Sequence, residues 1–263
     1  MQASIMHVET QITHVLTRVG RVAVYIKESS SGKLPLIFLH GVYLDHHLWD
    51  EQIEAIKDRM VVAVDMPLHG SSRENIKPDW TVNDCAEMLV DILDSLQIPQ
   101  VIAVGHSWGS MTILRAAYHH PERFASIGLC NMPFHAASGK QKLVFALQHT
   151  MLMFKNFYTT QAAKSLFGKT SLRKDVSLIE HLKRTMNILS GKDIKQIDKT
   201  VILNADDATE LIRNLQVKAI ALKGLEDYVP TPPAIETIIV EGGHISPLEQ
   251  PQKVSYLINE LLN

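Results

Sequence analysis

The stretch Gly105-His106-Ser107-Trp108-Gly109 stands where one structural period gives way to another. Before it, VIAVGHS (101–107) is the continuous apolar run expected of a strand covered on both faces. After it a helical pattern begins, which Pro121 ends. A strand that turns directly into a helix leaves no room for side chains two residues before and two after the serine. The serine at the apex is held in a strained conformation with its hydroxyl presented outward. The spacing G-x-S-x-G occurs by chance, but at a strand–turn–helix junction it constrains fold and chemistry together.

The flanking sequence repeats the alternation of strand and helix. Residues 10–28 read as two strands meeting at Gly20, with Val22, Val24 and Ile26 alternating. LPLIFLHG (34–41), MVVAVDMP (60–67) and SIGLCNM (126–132) are further buried strands, and VKAIALKG (217–224) and TIIVEGG (237–243) follow late in the chain. Between them, 47–59 predicts a helix through Leu48, Ile53 and Ile56. A stronger helix over 81–97 is capped by Thr81 with Asp84 three positions on. The last helix carries Val254, Leu257, Ile258 and Leu261. Strands alternating with helices imply a mostly parallel sheet of about eight strands with helices on both faces. Residues 140–198 break the pattern: they show helical stripes and no strand. The expected organisation is one α/β core, residues 1–132 and 201–263, interrupted after the sixth strand by a helical cap over 133–200.

Composition removes several classes of function. The 263 residues carry 26 Lys and Arg against 28 Asp and Glu, a formal charge of −2. Nucleic-acid binding needs a basic surface, and no global excess exists. Two cysteines, Cys85 and Cys130, build neither a disulfide framework nor a cysteine zinc site. The histidine pairs His46-His47 and His119-His120 lack metal-ligand helical spacing. The opening MQASIMHVETQITHVL has neither a basic n-region nor a continuous apolar h-region, and no later run approaches the ~18 apolar residues of a membrane span. The expectation is a soluble, cytoplasmic protein without stable membrane insertion.

A serine hydroxyl is a poor nucleophile without a base, and the base needs an orienting acid. Both belong at the carboxyl ends of later strands, in the order serine, acid, histidine. His244 directly follows TIIVEGG and is the candidate base. The acid should follow VKAIALKG, where Glu226 and Asp227 are adjacent, and Asp227 is the preferred candidate.

These residues, with His40-Gly41, the Asp65-Met66-Pro67-Leu68-His69-Gly70-Ser71 segment and Gly242-Gly243-His244, make the chain resemble the α/β-hydrolase superfamily. The resemblance is to its capped members, small esterases and lactonases, and covers the whole chain except the insertion. It implies a Ser107–Asp227–His244 triad that works without cofactor or metal. It also implies an oxyanion hole from the backbone N–H groups of Val42 and Trp108. Trp108 is expected either to line the pocket or to pack, and His40, Asp65 and His69 to shape nearby loops. Two departures stand out. Leu68 occupies a position where relatives have glycine. The 17-residue interval from Asp227 to His244 is short and holds three prolines, so its crossover helix is one turn or absent. The elbow carries serine, which sets the chain apart from relatives of the dehalogenase and epoxide hydrolase kinds that use aspartate there.

The expected function is hydrolysis of a carboxylic ester or lactone with an apolar acyl or alcohol group. Alternatives are a proline iminopeptidase-like or other amide or carbon–carbon bond hydrolase, and a non-catalytic receptor on the same fold. Gly168-Lys169-Thr170 is not a phosphate loop, because Ala163 stands at the leading glycine position and no strand precedes it. Met151-Leu152-Met153-Phe154 is read as cap helix over an apolar pocket rather than as a membrane-seeking face. Of the stripe Leu143, Leu147, Met151, Phe154 and the off-stripe Phe145 and Met153, one set should pack inward and the other roof the pocket.

Overall fold

The computed structural model describes residues 10–263; the opening segment read above for a leader lies largely outside them. Among the described residues eight strands form one sheet: β1 Gln11–Thr17, β2 Gly20–Lys27, β3 Leu36–Leu39, β4 Val61–Val64, β5 Val101–His106, β6 Phe124–Cys130, β7 Lys218–Gly224 and β8 Glu236–Val240. Their order across the sheet is β1-β2-β4-β3-β5-β6-β7-β8. The β1–β2 and β2–β4 pairs are antiparallel, and every other pair is parallel. β3, β4 and β5 are buried at every position, which is why each reads as an unbroken apolar run.

Helices α1 Asp50–Ala55, α2 Val82–Ser95 and α3 Trp108–His119 precede the break in the alternation. The α2 cap is reciprocal, as its sequence predicts: the Asp84 N–H donates to Thr81 Oγ1 at 3.1 Å and the Thr81 N–H to Asp84 Oδ2 at 2.8 Å. The helix expected over 47–59 is shorter, a 3₁₀ turn His46–Trp49 leading into α1. Lys27 sits at its end, its ammonium donating to the Ile53 and Ile56 carbonyls at 2.7 and 2.6 Å.

Between β6 and β7 the chain forms α4 Gly139–Thr150, a 3₁₀ turn Met151–Phe154, α5 Lys155–Leu166, α6 Lys169–Lys174, α7 Leu178–Ile188, α8 Gly191–Ile197 and a π-helical segment Asp198–Leu203. α9 Thr209–Arg213, α10 Ser246–Glu249 and α11 Pro251–Leu262 complete the chain. Helix α7 buries Ile179, Leu182 and Met186 on one stripe. Helix α4 differs, burying no residue at all. Leu143, Leu147, Met153 and Phe154 face solvent, while Phe145 and Met151 line a cavity. Of the stripe Leu143, Leu147, Met151 and Phe154, only Met151 lines the cavity; the other three neither pack inward nor roof it. Among the described residues no helix is long and apolar enough to cross a membrane.

Candidate active site

The loops that leave the carboxyl ends of β3, β5, β6, β7 and β8 meet in one place. At the end of β5 the chain turns into α3 through Ser107, whose φ of 49° and ψ of −110° lie outside the regions open to ordinary L-residues. The turn closes only because its flanking positions are glycine. A Cβ on Gly105 would run into the Gly109 and Ser110 backbone, and one on Gly109 into the Leu39 carbonyl. Two bonds pin the apex: the Ser107 N–H donates to the Cys130 carbonyl at 2.8 Å, and its carbonyl accepts from the Met111 N–H at 3.0 Å.

Ser107, His244 and Asp227 come together, all buried. His244 Nε2 lies 2.9 Å from Ser107 Oγ, and its Nδ1 lies 2.9 Å from Asp227 Oδ1. A carboxylate only accepts, so Nδ1 carries the hydrogen and Nε2 presents its lone pair to the serine hydroxyl. Burial alone would raise the Asp227 pKa. Hydrogen bonds from His244, from Asn131 Nδ2 at 2.8 Å and from the Val229 N–H at 3.1 Å outweigh it and hold the carboxyl below its ordinary value. The short Pro-rich connection before β8 holds no helix, yet Asp227 still reaches the imidazole. Glu226 points elsewhere: exposed, it accepts from the Lys169 and Thr170 N–H groups at the start of α6.

Val42 and Trp108 flank the serine. Val42 is half-buried in the loop after β3, and Trp108 opens α3. Neither amide donates to another group among the described residues. The Trp108 ring does not line the cavity: it is fully buried and stacks on Trp80 with ring centroids 5.3 Å apart.

The residues expected to shape loops are tied into them. His40 Nε2 accepts from the Met66 N–H and His69 Nε2 from the Tyr43 N–H, both at 2.9 Å, while their Nδ1 atoms donate to the Gly41 and Pro67 carbonyls. Burial pushes the two imidazoles down to about 4 and about 3. Asp65 accepts from the His46 and Ser71 N–H groups and from the Tyr25 hydroxyl. Leu68 adopts the left-handed conformation, φ 70°, that a glycine would occupy without strain, and the turn is preserved.

Four contributors escaped the sequence reading. Asn131, left-handed at φ 52° after β6, joins Asp227 to the Gly243 carbonyl and accepts from the Ser246 N–H through Oδ1. Tyr228 stacks on His244, centroids 4.8 Å apart. Tyr43 and Asp198 meet across the cavity wall. Position gave a usable signal only for Asn131, a polar side chain at the carboxyl end of a buried strand.

Above Ser107 and His244 lies a cavity of about 510 Å³. Val42, Met111, Val144, Phe145, Tyr158 and Ile202 are among its walls, with Gln141, Gln148 and Gln161 as polar points. Among the described residues its lining includes no Asp, Glu, Lys or Arg. No cluster of metal-ligating side chains occurs among the described residues either.

A family model described as alpha/beta hydrolase fold matches residues 35–169. The chain belongs to this family. It is 22% identical over 268 residues to YugF, an uncharacterized hydrolase of Bacillus subtilis, covering 93% of this chain and 96% of the relative. To 3-oxoadipate enol-lactonase 2 of Acinetobacter baylyi it is 22% identical over 240 residues, covering 86% and 88% respectively. A thermophilic esterase from Thermogutta terrifontis superposes with a TM-score of 0.79 at 22% identity, over 96% of this chain and 98% of that one.

Proposed function

We propose that this protein is a serine hydrolase that cleaves uncharged carboxylic esters or lactones through an acyl-enzyme on Ser107. The observation that carries this reading is the continuous hydrogen-bonded line Ser107–His244–Asp227 at the floor of an uncharged, largely apolar cavity. Ser107 Oγ attacks the carbonyl carbon while His244 Nε2 takes its proton. Asp227 holds the Nδ1–H, fixing the tautomer and stabilising the imidazolium that forms. Negative charge moves onto the carbonyl oxygen, which the Val42 and Trp108 amides receive; one such donor is worth roughly 100- to 1,000-fold in rate. The tetrahedral intermediate collapses, and the leaving alkoxide takes the proton from Nε2. Water then attacks the acyl-enzyme as His244 takes its proton; the second intermediate collapses by breaking the bond to Ser107 Oγ, which takes that proton back from Nε2, and the acid departs. Every electron pair and proton is accounted for by these groups.

The cavity's charge argues for the substrate class. A substrate ammonium would lose its hydration against walls with no carboxylate to pair with it, which disfavours aminoacyl amides. An anionic lactone, such as the one in the Acinetobacter relative's name, would bring a carboxylate to walls without a cation. The esterase and lactonase relatives support ester chemistry in general. We read residues 133–200 as the cap that roofs this cavity and residues 1–132 and 201–263 as the core. Turnover of an aryl butyrate by wild type and Ser107→Ala tests the assignment. A folded variant should lose about 10⁴- to 10⁶-fold in kcat, and one retaining a tenth of the rate refutes it.

A further inference from the structure

The inserted helices leave apolar side chains in water for which neither the core nor the cavity has a use. Leu143, Leu147, Met153 and Phe154 are between 61% and 87% exposed, and none of the four lines the cavity. Helix α4 buries no residue, so its own packing does not explain the apolar face. The segment of chain that carries that face is one-sided in charge. Residues 131–174 contain seven Lys or Arg and no Asp or Glu, leaving 19 Lys and Arg against 28 Asp and Glu in the rest of the chain. Lys140 lies on the same helical face as Leu143 and Leu147, at spacings of three and seven, and Lys142 and Lys164 are exposed nearby in sequence.

We propose that this face docks reversibly on an anionic lipid bilayer, with Leu143, Leu147, Met153 and Phe154 entering the acyl boundary and the lysines meeting the headgroups. The combination of large apolar groups with cations alone is what such a surface selects. A second copy of the chain is a poorer occupant, because self-association would bring two cationic faces together. The docked face belongs to the same helix and turn as Val144 and Met151, which line the cavity. Apolar esters dissolved in the bilayer would therefore be delivered beside its walls. Only this last consequence rests on the hydrolase reading.

Co-sedimentation with sucrose-loaded vesicles tests the proposal without any turnover. The wild type should bind vesicles of phosphatidylcholine with about a third phosphatidylglycerol, release in high salt and bind pure phosphatidylcholine at least tenfold more weakly. Leu147→Asp with Phe154→Asp should abolish binding, with the circular dichroism and the urea midpoint unchanged. Lys140→Gln and Lys142→Gln, which leave the apolar groups in place, should each weaken binding about fivefold. Absence of binding to the anionic vesicles would overturn the proposal. So would equal binding to neutral vesicles, or a dimer that forms through this face in sedimentation while vesicles are ignored. In all three cases the hydrolase reading would stand.

Discussion

Tyr43 donates its phenolic hydrogen to Asp198, joining the loop after β3 to the helices inserted between β6 and β7. Asp198 is fully buried and takes a second bond on Oδ2 from His149 Nε2 at 2.8 Å. The Tyr43 backbone, left-handed at φ 66°, is held twice more: its N–H donates to His69, and its carbonyl accepts from Thr185 Oγ1 on α7. The residue before it is Val42, whose amide is the proposed oxyanion donor. The inserted helices therefore help to fix the position of that amide.

Tyr43→Phe should accordingly lower kcat about tenfold for an aryl ester while KM changes little. An oxyanion donor acts only once charge has developed, and small misplacements of such groups are expensive. A raised KM with unchanged kcat would show that Tyr43 is only a wall of the cavity.

Asp227→Asn should reduce kcat about 10⁴-fold, because a neutral amide permits the wrong histidine tautomer. Glu226→Gln should leave kcat within about twofold and lower stability by roughly 0.5–1 kcal/mol, through its bonds to the first amides of α6. The reverse pattern would assign the acid to Glu226. Steady-state kinetics with urea unfolding on both variants decides between them.

Much of this site was legible because its signals are local. The elbow glycines, the Thr81–Asp84 cap and the buried runs of β3, β4 and β5 each declare themselves within a few residues. Tyr43 and Asp198 lie 155 positions apart, and Asn131 reaches Asp227 across 96. No local period encodes such pairs. The outward stripe on α4 was misread for a related reason: helical spacing shows which side chains share a face, but not whether protein covers it. The helix at 50–55 ends where Lys27 arrives from β2 to bond the Ile53 and Ile56 carbonyls, a contact no local period shows.

Acid should unfold the protein well before its carboxylates titrate. Burial holds His40 at about 4 and His69 and His106 at about 3, whereas unfolded imidazoles take up protons near 6.5. Below that value the unfolded chain binds more protons than the folded one, so stability is complete above it and falls as pH drops. Well inside the window each histidine contributes roughly 1.4 kcal/mol per pH unit. The urea midpoint should fall steadily from pH 7 to pH 5. A flat midpoint would mean that these histidines are charged in the fold or exchange readily with solvent.

Acyl-chain preference should follow the cavity walls. Each methylene buried against Val144, Phe145 and Ile202 is worth about 0.8 kcal/mol, near fourfold in kcat/KM. Butyrate and hexanoate esters should therefore exceed acetate, and Phe145→Ala should flatten the series. Aminoacyl amides should not be turned over measurably. A preference for acetate, or efficient cleavage of an aminoacyl amide, would place the substrate class elsewhere.

Trapping the intermediate is the sharpest test of covalent catalysis by Ser107. Wild-type protein mixed with an aryl hexanoate and quenched in acid within the first turnovers should gain the mass of one hexanoyl group. Proteolysis and fragmentation should place that group on Ser107, and Ser107→Ala should gain none. An acyl group on another residue, or turnover of the hexanoate by Ser107→Ala at a tenth of the wild-type rate or more, would contradict covalent catalysis by Ser107.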